Sequence, residues 1–146
     1  MSGLALNQWA SRLSHIAKAF PKGHFVPFAT KEATAVLHSV VERSPVGDPS
    51  LWKGPAPAGY VPGTFKNNWF VELGSVTGQP RLQPDASGSA SLQQASNLEG
   101  LRSNPFTTIY IYNPLPYANR LEHGWSTQAP MGIVALTVTS LRSRVL

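Results

Sequence analysis

The chain of 146 residues is long enough for one domain with one hydrophobic core, and its lack of cysteine excludes disulfides, thiolate metal sites and cysteine nucleophiles. Lys and Arg outnumber Asp and Glu by 12 to 7, which gives a net charge of +5, but only 13% of the residues are charged. The basic residues are dispersed, which is not typical of a dedicated nucleic-acid helix. No apolar run approaches the ~20 residues that span a membrane, so we expect no membrane partner.

Two amphipathic helices are predicted in the first 43 residues. The first has apolar residues at spacings of three and four, namely Leu6, Trp9, Leu13, Ile16 and Phe20. The second is predicted from about Thr30, which suits an N-cap, to Arg43. Ser44 precedes a proline and is therefore disfavoured in a helix, so the second helix should end there.

Residues 45–63 contain five prolines and four glycines and should form an extended loop arm. Trp52 and Tyr60 are aromatic residues of a kind that is usually buried, and they lie within this loop. One interpretation is that they pin the loop to its own domain. The other is that they dock the arm onto a neighbouring subunit.

Two strands are predicted further along, over residues 64–73 and 106–112, and we expect them to pair antiparallel. Trp69 would then pack beside Ile109 or Ile111. Residues 74–104 are rich in Ser, Gly, Gln and Pro, and within them residues 90–101 form either a short helix or a loose crossing. The predicted fold is therefore α+β, a single domain over residues 1–146 in which N-terminal helices cover a small, mostly antiparallel sheet.

Residues 111–130 have the most specified local pattern in the chain. Pro116 suits the first turn of a short helix, and Gly124 lies where a helix end favours positive φ. Glu122 near that helix end is disfavoured by the helix dipole, so an Arg or Lys partner, within the chain or on the next subunit, is expected unless the carboxylate is simply solvated. Beyond this corner, residues 134–145 fit a strand by alternation and a helix by spacing.

Few side chains suggest catalysis or ligand binding. The four histidines lack metal-ligand spacing, and Glu122 and His123 are adjacent on a helix and so point about 100° apart. The two aspartates, Asp48 and Asp85, lie in Pro/Gly-rich loops, and no nucleotide-binding or nucleophile motif is present. We therefore predict no catalytic residues, no metal and no cofactor.

Two sequence blocks resemble the neck and tail-completion proteins of tailed bacteriophages, the family that includes the lambda minor tail protein Z. The first block is the Ser-Pro-Val turn of residues 41–46 with the Gly, basic and Asn-Trp positions of residues 63–69. The second runs from Asn113 through Leu-Pro-Tyr-Ala, Leu-Glu and a glycine to Ser-x-Gln-Ala-Pro-x-Gly at residues 126–132. The loop between 45 and 63 is longer than in many relatives.

The resemblance implies a structural virion protein at the head–tail junction, assembled in the host cytoplasm. It implies a homo-oligomeric ring, of six copies if it matches the tail tube, between a portal, adaptor or stopper protein and the tail terminator or tube, with genome DNA passing through without sequence-specific binding. It favours a helix over residues 134–145 and a clamp at Glu122. The candidate subunit-interface residues are Trp52, Tyr60, Trp69, Tyr117, Arg120, Glu122 and Trp125.

Two other functions remain open on the sequence. Within the same class, the chain fits a tail terminator or a head-completion stopper ring. From another class, its basic balance fits a DNA-binding accessory protein, which would show strongly salt-dependent affinity.

Overall fold

The computed structural model describes residues 23–51, 53–56 and 58–145, and the helix predicted around residues 6–20 lies outside these ranges. The first described helix, α1 (Phe25–Arg43), buries Ala33, Leu37, Val40 and Val41. It begins before the predicted Thr30, because Pro27 lies in its first turn, where a missing N–H costs no helical hydrogen bond. Its predicted end at Arg43 is confirmed, and Ser44 is extended.

The sheet consists of β1 (Phe70–Leu73) and β2 (Ile109–Tyr112), paired antiparallel as predicted. Both strands are shorter than predicted. Residues 66–68 form a 3-10 turn instead of a strand, because the buried side chains of Asn67 and Asn68 bond to Gln83 and Arg81 in a neighbouring loop. Val71 lies opposite Ile111 and Leu73 opposite Ile109, so these four side chains share the face that packs on the core.

A helical crossing connects the strands. Helix α2 (Ser89–Gln93) continues directly into a 3-10 helix, Gln94–Arg102, which contacts both α1 and β1. Leu92, Ala95 and Leu98 are spaced by three, which matches the three residues per turn of a 3-10 helix and aligns them toward the core. The short-helix interpretation of residues 90–101 is therefore correct.

The C-terminal part contains helix α3 (Ala118–Glu122) and helix α4 (Val134–Val145). The helical alternative for residues 134–145 is thus confirmed over the strand. Helix α4 packs against α1, where the hydroxyls of Ser39 and Thr137 are 3.0 Å apart. The fold is α+β, and one hydrophobic cluster joins α1, β1, the 3-10 helix and the C-terminal part.

The described residues of the 45–63 loop include one 3-10 turn, Pro49–Leu51, and are otherwise irregular. Asp48 accepts hydrogen bonds from the backbone N–H and the hydroxyl of Ser50 and so holds this turn. At its start, the loop is tied to the C-terminal part, since Val46 N–H donates to Gln128 Oε1 at 2.9 Å. Its far end is fixed at Gly63, where φ is +103° and an added Cβ would collide with the backbone of residues 85–86.

Candidate subunit-interface surface

Helix α3 ends in a glycine turn of the predicted kind. Gly124 has φ +79°, its N–H donates to Leu121 O at 3.2 Å, and Trp125 N–H reaches back to Arg120 O at 3.2 Å. These two bonds form a Schellman motif, which satisfies the last carbonyls of the helix and fixes the direction in which the chain leaves it. The positions of Arg120 and Trp125 are therefore set by backbone geometry.

The Glu122 carboxylate caps the N-terminus of α4. Its Oε2 accepts from the N–H groups of Ile133 (2.9 Å) and Val134 (2.8 Å), and its Oε1 accepts from Ala135 N–H (2.8 Å). Burial raises the pKa of Glu122, but these three hydrogen bonds outweigh it and the net pKa is lowered. Within the described residues, the group that compensates the Glu122 charge is not the predicted Arg or Lys side chain but the positive end of α4, with its unpaired N–H groups. An Arg or Lys partner on the next subunit stays a prediction.

Gly132 allows this cap to form. Its φ is +84°, and a Cβ built there would lie 2.6 Å from Glu122 O and 2.8 Å from Glu122 Oε1. On the other side, a Cβ at Gly124 would collide with Pro130 O. The two glycines thus bring the end of α3 and the start of α4 into direct backbone contact, and the intervening loop buries Ala129 and Ile133.

Three side chains stand out from this rigid base, and we call Tyr117, Arg120 and Trp125 the aromatic corner. Trp125 is 74% exposed, with the Arg120 guanidinium 5.2 Å from its ring centroid. Tyr117 is 37% exposed, and its ring lies 6.0 Å from that of the buried Phe65. The corner therefore presents an indole and a guanidinium outward, with a tyrosine anchored on the core beside them.

Tyr60 joins the corner from the long loop. Tyr60 is half-buried, and burial raises the pKa of its phenol. Burial also raises the pKa of Tyr117, with the nearby Tyr60 adding to the rise, so the two phenols are neighbours. The partial burial of Tyr60 within its own chain favours the interpretation that it pins the loop to its own domain. Trp52 lies outside the described residues.

Trp69 does not belong to the surface, so its assignment to an interface is corrected. It is 4% exposed, its ring packs edge-on to Phe65 at 5.9 Å, and its indole N–H donates to Ser44 Oγ at 2.7 Å. Ser44 Oγ in turn donates to Val40 O at 2.6 Å, so the indole is tied to the end of α1. A buried, fully hydrogen-bonded tryptophan stabilises the fold and offers no area to a partner.

The Asn-Asn pair before Trp69 has a structural role that sequence reasoning missed. Asn68 is fully buried and exchanges hydrogen bonds with both backbone groups of Arg81, at 2.6 and 3.2 Å. Asn67 donates to Gln83 O at 3.0 Å and accepts from Ala90 N–H at 3.2 Å. The two amides thereby hold the 66–68 turn against residues 81–90. The signal was available, since two adjacent asparagines are poor strand residues.

Arg81 completes this second cluster. Its guanidinium lies 4.0 Å from the centroid of the Phe70 ring, and its Nη1 donates to the carbonyls of Asn67 (2.5 Å) and Trp69 (3.2 Å). Its Nη2 is buried and has no hydrogen-bond partner within the described residues. Desolvation lowers the pKa of Arg81 from its usual value. The arginine holds the 79–86 loop against the sheet.

Within the described ranges, no group of three or more His, Cys, Asp or Glu side chains is placed to bind a metal ion. No described helix is both long and apolar enough to cross a membrane. Comparison of the chain with protein-family models, curated proteins and solved structures finds no match.

Proposed function

We propose that this protein is a structural subunit of the head–tail junction of a tailed bacteriophage. Copies of the chain form a ring that completes or caps the tail and joins it to the head connector. The resemblance of residues 41–136 supports the class. The observation that carries the proposal is the aromatic corner, an exposed Trp–Arg pair held on a backbone that its own hydrogen bonds make rigid.

The corner has the composition of an interface anchor. Trp, Tyr and Arg dominate the residues whose truncation weakens protein–protein contacts most. A rigid mount adds to this, because side chains already held in position lose less freedom on binding. Glu122 supports the corner indirectly, by fixing the helix that carries Arg120 to the helix that follows.

Ring formation follows from repeating one contact. If the corner of one copy meets a different surface of the next, the contact is heterologous, and a rotation that closes gives a ring. Six copies would match the symmetry of a tail tube. The net charge of +5 per copy would give the ring a mildly positive field, suited to DNA passing through without sequence-specific binding.

The position of the ring separates the tail-completion protein from its neighbours. A tail terminator or head-completion stopper would form a ring one level away along the same axis. Averaged electron microscopy of assembled particles tests the class and the position together. Density for this chain in a closed ring between portal and tail tube is the expected result, and its absence from the particle would overturn the proposal.

A paired substitution tests the role of the corner. Trp125→Ala removes the exposed indole, and Leu82→Ala removes a still more exposed apolar side chain, 94% accessible, from another loop. We expect the yield of complete particles to fall with Trp125→Ala and to stay unchanged with Leu82→Ala. Equal yields for both variants would remove the corner from the interface.

The DNA-binding alternative has one observation in its favour, the excess of basic over acidic residues. It predicts affinity for duplex DNA that falls steeply with salt, with a slope that reports several phosphate contacts. The ring proposal predicts weak binding with a shallow slope. Titration of the purified protein with duplex DNA at several salt concentrations distinguishes the two.

A further inference from the structure

The two strands of the sheet differ in whether the backbone groups on their outer edges have hydrogen-bond partners. On β1, the outward backbone groups of Val71 are occupied: its N–H donates to Gln94 Oε1 at 3.4 Å, and its carbonyl accepts from Asn97 Nδ2 at 2.9 Å. The 3-10 helix therefore closes this edge. Because the backbone N–H and C=O of Val71 point away from β2, the backbone N–H and C=O of the opposite residue, Ile111, point away from β1.

Within the described part of the chain, the backbone groups on the outer edge of β2 are unpaired. Gly74 N–H donates to Thr108 O at 2.9 Å, so the backbone groups of Thr108 point toward β1. Since this direction alternates along a strand, the backbone groups of Ile109 and Ile111 point away from β1. No described residue forms a hydrogen bond with these outward N–H and C=O groups. The edge thus presents two donors and two acceptors with the spacing of a strand ladder.

Apart from its short length of four residues, β2 has none of the sequence features that usually protect an edge strand. Natural edges are usually blunted by lysine, by a proline inside the strand or by a bulge. Between Arg102 and Arg120 the chain has no charged residue, and the strand itself reads Ile-Tyr-Ile-Tyr. Just before it, Phe106 is 78% exposed. An uncharged, apolar and unpaired edge is a template for another strand.

We propose that this edge pairs with the same edge of a second copy of the chain, antiparallel about a twofold axis at Tyr110. In that register Ile109 of each copy lies opposite Ile111 of the other, and four backbone hydrogen bonds form between them. The two Tyr110 side chains meet at the axis. The result is a four-stranded sheet in the order β1-β2-β2-β1.

The sequence of β2 favours a second copy of the chain as the partner that pairs with this edge. An antiparallel self-pairing centred on Tyr110 places isoleucine against isoleucine on the core face, and tyrosine against tyrosine on the other face. It also sets the exposed Phe106 of one copy opposite Pro114 of the other. Two copies each carrying +5 meet here without like-charge contacts, because residues 103–119 are uncharged.

Cysteine crosslinking tests the register, since the natural chain contains no cysteine. At a non-hydrogen-bonded antiparallel pair the Cα atoms are ~4.5 Å apart, within the range a disulfide spans. Tyr110→Cys should therefore form a covalent dimer under mild oxidation. Thr108→Cys is the matched control: it lies opposite position 112, so the two copies of residue 108 are roughly 13 Å apart.

The expected result is rapid disulfide formation for Tyr110→Cys only, with both variants melting as the natural chain does. Analytical ultracentrifugation of the natural chain should show a concentration-dependent dimer. Tyr110→Lys, which opposes two charges at the axis, should weaken it by at least about tenfold, whereas Val138→Lys on α4 should leave it unchanged. Equal crosslinking at 108 and 110, or a natural chain that stays monomeric at its highest attainable concentration, would overturn the inference.

This twofold contact goes beyond the proposed ring. A twofold contact uses the same surface on both copies, whereas ring closure uses two different surfaces. Crosslinking in solution reports only on β2, and particle images report only on the ring. Either proposal can therefore fail without the other.

Discussion

The two clusters that brace this fold differ in what they leave exposed. Around Asn67 and Asn68, amide side chains bond to the backbone of the 81–90 loop and are buried. Around Glu122, one carboxylate bonds to three backbone amides, while Arg120 and Trp125 beside it stay at the surface. The first cluster is structural throughout. The second combines a structural base with side chains free for a partner.

The comparison shows how a chain with little regular structure is held together. The described residues contain two strands of four residues each, so ladder hydrogen bonds are few there, and polar side chains bond to many of the remaining backbone groups. Asp85 likewise accepts hydrogen bonds from backbone N–H groups just before and at the start of α2, those of Ser87 and Ser89. Together with the bonds from the two serine hydroxyls, they lower the pKa of Asp85. Polar residues in such a fold are therefore poor indicators of a site until their partners are known.

The largest expected effect of a single substitution comes from the buried cluster. Asn68→Ala removes three hydrogen bonds and leaves partly buried backbone groups of Thr64 and Arg81 without their side-chain partners. At ~1–3 kcal/mol for each unsatisfied group, we expect a loss of at least about 3 kcal/mol in the free energy of unfolding. Chemical denaturation measures it, with the exposed Asn119→Ala as the control that should change little.

Gly132→Ala should have the next largest effect on stability, because the added methyl group would collide with Glu122, which caps α4. The new methyl group would meet both the carbonyl and the carboxylate of Glu122, in addition to the strain of a positive φ. We expect a loss of about 2–3 kcal/mol in the free energy of unfolding. Gly59→Ala is a matched control, with φ +74° and no atom within 4 Å of its Cβ, so it should cost only ~1 kcal/mol. Equal losses would show that the close contact at Gly132 has no energetic weight.

A smaller effect, with a pH signature, is expected for Glu122→Gln. An amide cannot accept from all three N–H groups, because its NH2 must face one of them, and the charge at the helix N-terminus is lost. We expect a loss of about 1–2 kcal/mol at pH 7 in the free energy of unfolding. The folded pKa lies below the ordinary 4.5, so the contribution of Glu122 is present above that pH and disappears as pH falls through the folded value.

Denaturation at pH 7 and at pH 3 checks this sign. The difference between the natural chain and Glu122→Gln should be largest at pH 7 and shrink at pH 3. Glu99→Gln, at an exposed position of the 3-10 helix, is the control. A difference that grows toward low pH would contradict the assignment of Glu122 as a charged cap.

These contacts mark the limit of what the sequence could predict. Local signals located α1, the glycine turn at Gly124, the spacing of Leu92, Ala95 and Leu98 and the pairing of the strands. The Ile133 partner of Glu122, the Arg81 partner of Asn68 and the Ser44 partner of Trp69 could not be predicted, because each lies 11 or more residues away along the chain. Glu122 is an example. Its position near the end of α3 correctly predicted that its charge needs a compensating group, but the sequence did not show that this group is the positive end of α4.

The smallest effect on stability, and the sharpest test of the contrast between the clusters, is expected for Trp125→Ala. The side chain is 74% exposed and its described contact is the cation–π pair with Arg120, which is worth ~0.5–1 kcal/mol at exposed sites. The melting temperature should therefore hardly change. If the corner is an interface, Trp125→Ala should lower the yield of assembled particles and leave the stability of the fold unchanged. A substitution of the buried Asn67 or Asn68 cannot lower the yield in this way without also lowering the stability. A drop in stability as large as that of Gly132→Ala would instead place Trp125 among the structural residues.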